Sequence, residues 1–383
     1  MLDTVILQLR SSEYHIQKWE RWASEKKKFN KGIQVCTIYI NNATPAEDRL
    51  NIYRPRLTRI DQRGRGEIMK IEFSVQIILF GHTLQEATEN DFERVLDALQ
   101  KSLLEMGVST SKLSLRQALV VNLQPAKNIP ISGSYFVSQI IRDMAKIVIT
   151  EKMEITTKNY ENGGHGVQFY SKSNALTFYD KVKDLEKNDK DSYSHDQKIQ
   201  QDGLFPFMRQ KRKPEILRME ARLCEPVKLN STMKKLGFEQ KPTFADVFKD
   251  EVCKNILLDY FDRFIEPNRF IFTLDDTPLG MLQSILGKNK RMSFNTAKNL
   301  VMLKIFCKEE GGARAFRRIV ERRASLRTWQ RIAPKLKTLN REIPLQSCYG
   351  YIGEIKKALQ DFKPYELENV KKLSTGDVKK CKV

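Results

Sequence analysis

Tyr179 and Lys181 stand two residues apart in the run Asn174 to Asp184, and they are the first pair in this chain whose types could do chemistry together. Read as an extended segment, the run puts Leu176, Phe178 and Val182 on one side and Thr177, Tyr179 and Lys181 on the other, the period-two pattern of a half-buried strand. A phenol attacks a phosphodiester only if the cost of exposing its oxyanion is lowered, because its ordinary pKa is about 10. A cation on the same face would lower that cost, although packing with a solvated tip satisfies the same pattern. A second run, Ile216 to Leu223, alternates Leu217, Met219, Ala221 and Leu223 against Arg218, Glu220 and Arg222. That places one carboxylate between two guanidiniums. It reads either as a surface ion-pair ladder or as a metal-ligating Glu220 with arginines holding phosphate oxygens.

Other elements must position these groups. Residues 2 to 9 read as a first strand with Asp3 at its mouth, either a metal ligand or an edge charge. Val35 to Ile40 and Ile52 to Ile60 are expected to be extended, and Lys26, Lys27 and Lys28 read as a solvated basic loop. Glu67 to Phe80 is expected as a strand or strand pair ending at Gly81, with His82 in the turn. Phe92, Val95, Leu96, Leu99, Leu103 and Met106 keep helical spacing and end at Gly107. A strand over 115–124, a polar link over 125–130 holding Lys127 and Asn128, and a helix near 135–148 should follow. Strands at 152–157 and 167–171 bracket a glycine-rich turn with His165, and lead into the Tyr179 strand.

Residues 184–201 are charged and almost without aliphatic side chains, as in a flexible excursion, and Arg209, Lys211 and Arg212 form a cluster suited to phosphate contacts. Beyond Pro226 the period becomes helical. A capping box at Thr243 and Asp246 opens a helix to about Asp262, and helices are expected at 275–287, 293–309, 312–322 and 325–336. The last two carry Arg314, Arg317, Arg318, Arg322, Arg323, Arg327 and Arg331 across a very short turn, resembling a helix-turn-helix unit laid against DNA. The expected class is therefore α+β: a mainly antiparallel sheet with packed helices over 1–238, a helical and DNA-binding region over 239–345, and a terminal helix with a basic tail over 346–383.

The 67 Lys and Arg against 47 Asp and Glu give a formal charge of +20, so a polyanion, nucleic acid before a membrane surface, is the expected partner. The six cysteines are scattered singly, which suggests neither a zinc ribbon nor a disulfide framework and fits a reducing cytoplasm. No signal-peptide layout opens the chain, and no apolar run approaches the ~18 residues of a membrane span. A soluble cytoplasmic protein without membrane contact is expected.

With these residues in place, the chain resembles the gene II type replication initiators of filamentous phages, the rolling-circle nicking-closing Rep proteins, and their plasmid and bacterial relatives. The resemblance is carried by the opening strand with its acidic third residue, the segment Ser74 to Thr83, the strand Leu176 to Val182, the run Arg218, Glu220, Arg222, and the helical region Ser293 to Trp329. It implies a Rep-nuclease-like sheet and an endonuclease and strand transferase. Tyr179 would be its nucleophile, attacking a replication origin to leave the protein on the 5′ phosphate and a free 3′ hydroxyl. Lys181 would assist electrostatically, and Mg²⁺ or Mn²⁺ would be held by Glu220 with Asp3, Glu72 or Gln124. Arg218 and Arg222 would clamp phosphate, while Arg317, Arg318, Arg322 and Arg327 locate duplex DNA. Host replication machinery would be a partner. The chain departs from the family in having Gln76-Ile77 where relatives carry Pro-Lys, and Gln124 where they usually carry an acidic or histidine side chain. Those departures favour the alternative, an origin-binding or copy-control protein that does not cut; a basic RNA-binding protein is a third reading.

Overall fold

Alternating apolar residues dictate the centre of the molecule. In the computed structural model, which describes residues 1–30, 33–50, 52–62, 64, 66–132, 135–147, 153–159, 165–185, 214–273, 277–309, 311–342 and 348–366, they face one side of a ten-stranded sheet. Its strands are β1 (Leu2–Arg10), β3 (Ala23–Asn30), β4 (Ile33–Asn41), β5 (Arg56–Gln62), β6 (Gly66–Ser74), β8 (Leu119–Pro130), β9 (Glu154–Asn159), β10 (His165–Tyr170), β11 (Asn174–Asp180) and β12 (Ile216–Leu223). Two short strands, β2 (Tyr14–Ile16) and β7 (Val108–Thr110), pair separately. The order across the large sheet is β3-β4-β5-β6-β1-β8-β12-β11-β10-β9, with antiparallel neighbours.

Val5, Leu7 and Leu9 of β1, Met69, Ile71 and Phe73 of β6, Leu176 and Phe178 of β11, and Leu217, Met219 and Leu223 of β12 are buried in one apolar core. Helices complete that core: α3 (Phe92–Glu105), α5 (Val137–Met144), and α9 (Asp250–Phe264), through Val95, Leu99, Ile140, Ile256 and Phe261. The smaller helices before them are α1 (Pro45–Arg49), α2 (Val75–Phe80) and α4 (Lys112–Gln117). Then come α6 (Lys181–Leu185), α7 (Pro226–Lys235) and α8 (Phe244–Val247), and after α9, α10 (Pro278–Lys288), α11 (Phe294–Lys308), α12 (Gly312–Arg323), α13 (Leu326–Glu342) and α14 (Gly350–Asp361). The chain is thus α+β with a helical carboxy-terminal region. Because α9 packs on β8 and β12, the apolar core runs unbroken past residue 238.

Several elements differ from expectation for reasons that bear on the site. β6 ends at Ser74, whose side chain accepts from the Ile77 amide and caps α2, so Gln76 and Ile77 lie on a helix rather than a strand. Gly81 closes that helix with φ of +72°. The polar link expected over 125–130 is the second half of β8. Strand β8 outlasts β1, its last backbone bond in that direction running from the Ala126 amide to the Met1 carbonyl. The Asn128 amide would then be orphaned, and the Glu86 carboxylate accepts it at 2.5 Å. Lys26, Lys27 and Lys28 belong to β3 rather than to a loop. The helix expected from Thr243 is broken at Phe248 into α8 and α9, although the capping box forms as read. Among the described residues no helix is long and apolar enough to cross a membrane.

Candidate active site

Strand register assembles the site. Tyr179 lies opposite Arg218, and Thr177 opposite Glu220, so Glu220 is the diagonal neighbour of Tyr179 on the same sheet face. The Tyr179 hydroxyl reaches it and donates to Oε1 at 2.6 Å. Glu220 lies opposite Ala126 on β8, which makes Gln124 a diagonal neighbour in turn, and its amide nitrogen donates to Glu220 Oε2 at 2.9 Å. Asp3 would share the apolar face of Val5 and Leu7 in a regular strand. The pairing of β1 with β8 shifts register between Leu2 and Thr4, and the Asp3 carboxylate instead accepts from Gln124 Nε2 at 3.2 Å and from Arg218 Nη2 at 2.8 Å.

Arg218 is the hub. Its Nε donates to Glu220 Oε1 at 2.8 Å, and its Nη1 to Asn128 Oδ1 at 3.0 Å and the Thr83 carbonyl at 3.4 Å. Gln76 Oε1 lies 3.5 Å from both terminal nitrogens. The side chain is 1% exposed and all its directions end on protein acceptors, so Arg218 is a buried organiser of the carboxylates and not an open phosphate clamp. Arg222 remains exposed, with Nη2 3.6 Å from Glu220 Oε2.

These contacts set the charge states. Burial would raise the Glu220 carboxyl, but Arg218, Arg222 and the hydrogen bonds from Tyr179 and Arg218 outweigh it and hold the group down to about 2. Burial, and next the Glu220 carboxylate, push the Tyr179 phenol well above its ordinary range. At neutral pH the pair is therefore a protonated phenol on an ionised acceptor. Burial raises Asp3, with Arg218 opposing.

The remaining expected residues fall in different places. Lys181 does not continue the strand. It opens α6, is buried beside Asp184 at 3.6 Å, and its Nζ sits 5.5 Å from the Tyr179 ring centroid. Burial, with Arg218 next, lowers its proton affinity. Glu72 is on β6 opposite Ile6 and takes its ion pair from Arg56 at 3.8 Å, outside the Arg218 network. His82 is a satisfied turn residue: Nδ1 accepts from the Leu84 amide at 3.3 Å, and burial, then Lys181, lower its pKa to about 4. Arg209, Lys211 and Arg212 lie outside the described residues. Sequence reasoning passed over Gln76 and Asn128 as contacts of Arg218, and Glu86 altogether.

A divalent ion does not fit this arrangement. All four oxygens of Asp3 and Glu220 already face donors, from Arg218, Gln124, Tyr179, Arg222 and Thr4. Gln124 presents its N–H groups to both carboxylates, where a metal would need its carbonyl oxygen. Among the described residues no three His, Cys, Asp or Glu side chains gather around one point.

The helix pair also takes shape. Ser325 Oγ accepts from the Thr328 amide at 3.1 Å and starts α13 two residues after α12 ends, while Trp329 and Leu336 turn inward. Arg318, Arg322, Arg323, Arg327 and Arg331 are exposed, whereas Arg317 is held by Glu321 at 2.8 Å and lies over Trp329.

Beside the nucleophile candidate, burial raises the Asp180 carboxyl from 3.8 to about 6, against the Lys183 amide it accepts at 2.9 Å. Between these values the folded chain holds a proton that the unfolded chain has lost, so stability falls as pH rises from about 4 to 6 and stays lower above. Asp180→Asn keeps an acceptor for α6 and removes the ionisation. It should stabilise by about 2 kcal/mol at pH 8 and by almost nothing at pH 4 in urea titrations. An equal effect at both pH values would rule out the ionisation as its cause.

The chain matches no family model and no curated protein. Among solved structures it is similar to the rolling circle replication initiator protein from Geobacillus stearothermophilus, at 10% identity and a TM-score of 0.32, over 69% of this chain and 84% of that one. A likeness of that degree establishes neither a family nor a reaction.

Proposed function

We propose that the chain initiates DNA replication by nicking and rejoining one strand through Tyr179. The observation that carries this is the 2.6 Å hydrogen bond from the half-buried Tyr179 residue to the buried Glu220 carboxylate. In the forward step Tyr179 Oη bonds to phosphorus and gives up its proton to Glu220 only as that bond forms, because the resting phenol, held well above its ordinary range, does not lose it to a carboxylate held at about 2. The 3′ oxygen of the neighbouring nucleotide leaves with the P–O bonding pair and takes a proton from solvent. Reversal by a 3′ hydroxyl restores the phosphodiester and the phenol. Arg218 fixes the carboxylate that receives the proton. Arg222, on the same face and open to solvent, is placed to meet a phosphate oxygen. No step passes through a divalent ion, since its expected donors are already engaged.

The test is to incubate the full chain with single-stranded oligonucleotides tiling the DNA that flanks its coding sequence, labelled at the 3′ end. A label that stays with denatured protein supports the reading. Absence of any adduct across the tiles sinks it. The second reading, a DNA-binding protein that does not cut, is favoured by the same saturation of Asp3 and Glu220, and by the five exposed arginines of α12 and α13. Arg314 beside them has its proton affinity lowered by burial and by Arg318 and Arg317, a crowding that an anionic partner would relieve. Replacing Arg318 and Arg322 by alanine should weaken duplex binding and reduce the slope of log affinity against log salt by about 2. An unchanged slope would remove these helices as the duplex reader.

A further inference from the structure

We infer that Arg218 is the permanent cation of this site, standing between Asp3 and Glu220 where a divalent ion would have to sit, so that strand transfer at Tyr179 needs no metal. This rests on the reading of Tyr179 as the nucleophile. Three observations point the same way. The guanidinium touches both carboxylates at 2.8 Å and is 1% exposed, and its other nitrogen finds Asn128, Gln76 and Thr83. An ion entering between Asp3 and Glu220 would have to expel a charge that has acceptors on every side. Both carboxylates already have a cationic partner: Arg218 pairs with Asp3 and Glu220, and Arg222 reaches Glu220 from the solvent side at 3.6 Å. Lys181 is matched separately by Asp184. A dication entering there would stand against the buried Arg218 guanidinium, a like-charge contact in a medium that penalises uncompensated charge.

The geometry also divides the labour that a metal would otherwise combine. Arg218 holds the proton acceptor in place and is a positioning residue, acting through Glu220. Arg222 is exposed, has the 3.6 Å contact to Glu220 as its ion pair among the described residues, and is the group that a phosphate oxygen would reach. A guanidinium does both tasks without lowering the pKa of a bound water, which suits a reaction whose nucleophile is a side chain.

The test uses the full chain and Mn²⁺ alone, followed by the paramagnetic signal of the free ion. Wild type and Glu220→Gln should give superimposable titrations. A stoichiometric wild-type site that Glu220→Gln abolishes would overturn the inference. Arg218→Gln, where circular dichroism confirms folding, should bind Mn²⁺ at least about tenfold more tightly than wild type, because two carboxylates lose their cation. Failure of the folded variant to gain affinity would also count against it. In the adduct assay, yield in EDTA should match that in Mg²⁺; a loss of about tenfold or more in EDTA would overturn the metal-free step. No adduct in either condition would remove Tyr179 as nucleophile, leaving the Mn²⁺ titrations to decide what Arg218 does.

Discussion

Tyr179→Phe is expected to abolish the covalent adduct while leaving single-strand affinity within about threefold of wild type, a difference under 1 kcal/mol. Without the hydroxyl there is no oxygen to form the phosphotyrosine bond, so the loss is complete rather than graded. The rest of the site should survive. Phenylalanine keeps the ring beside Lys181, and Glu220 retains Arg218, Gln124 and Arg222 as partners, so the lost hydrogen bond should cost about 1 kcal/mol of folding stability. A suitable control is Tyr170→Phe. Tyr170 lies two strands from Glu220 on the same face and donates to exposed Glu154 at 2.8 Å, a phenol–carboxylate pair with no buried guanidinium hydrogen-bonded to its carboxylate among the described residues. Full adduct from Tyr179→Phe together with loss in Tyr170→Phe would transfer the nucleophile to that second pair.

How much of this was legible before the fold is best seen strand by strand. The faces of β11 and β12 were plain, because alternation alone separates Leu176 and Phe178 from Tyr179, and Leu217 and Met219 from Arg218 and Glu220. What alternation does not supply is register. The 2.6 Å contact belongs to the register that sets Thr177 opposite Glu220 and Tyr179 opposite Arg218, and alternation fits every even shift of that register equally well. Asp3 needed a pairing irregularity, which leaves no mark in the sequence. Gln76 was misread because Val75 to Phe80 is rich in residues that favour strands, while Ser74 capping and Gly81 termination decide for a helix. Lys127 and Asn128 looked like a loop between two prolines because their partner, Glu86, comes from a distant segment.

That missed cluster sets the second large effect. Glu86 is buried, accepting from Lys127 Nζ and the Asn128 amide at 2.5 Å each, and from the Tyr365 amide at 2.8 Å. Lys127→Met should destabilise the chain by about 3–5 kcal/mol in urea titrations, because the apolar stem is replaced but a buried carboxylate loses its only opposite charge within ion-pair distance among the described residues. Adding Glu86→Gln to Lys127→Met should recover part of the loss, since an amide oxygen can still accept from the backbone while no charge is left buried. The strain should travel. Asn128 donates to the Leu84 carbonyl and accepts from Arg218, so loosening Glu86 loosens the residue that fixes Glu220. Adduct yield in Lys127→Met should then fall even at temperatures where circular dichroism reports a folded chain. A loss below about 1 kcal/mol would mean that water or a neighbouring group compensates Glu86, and that the end of β8 is held by packing rather than by this ion pair.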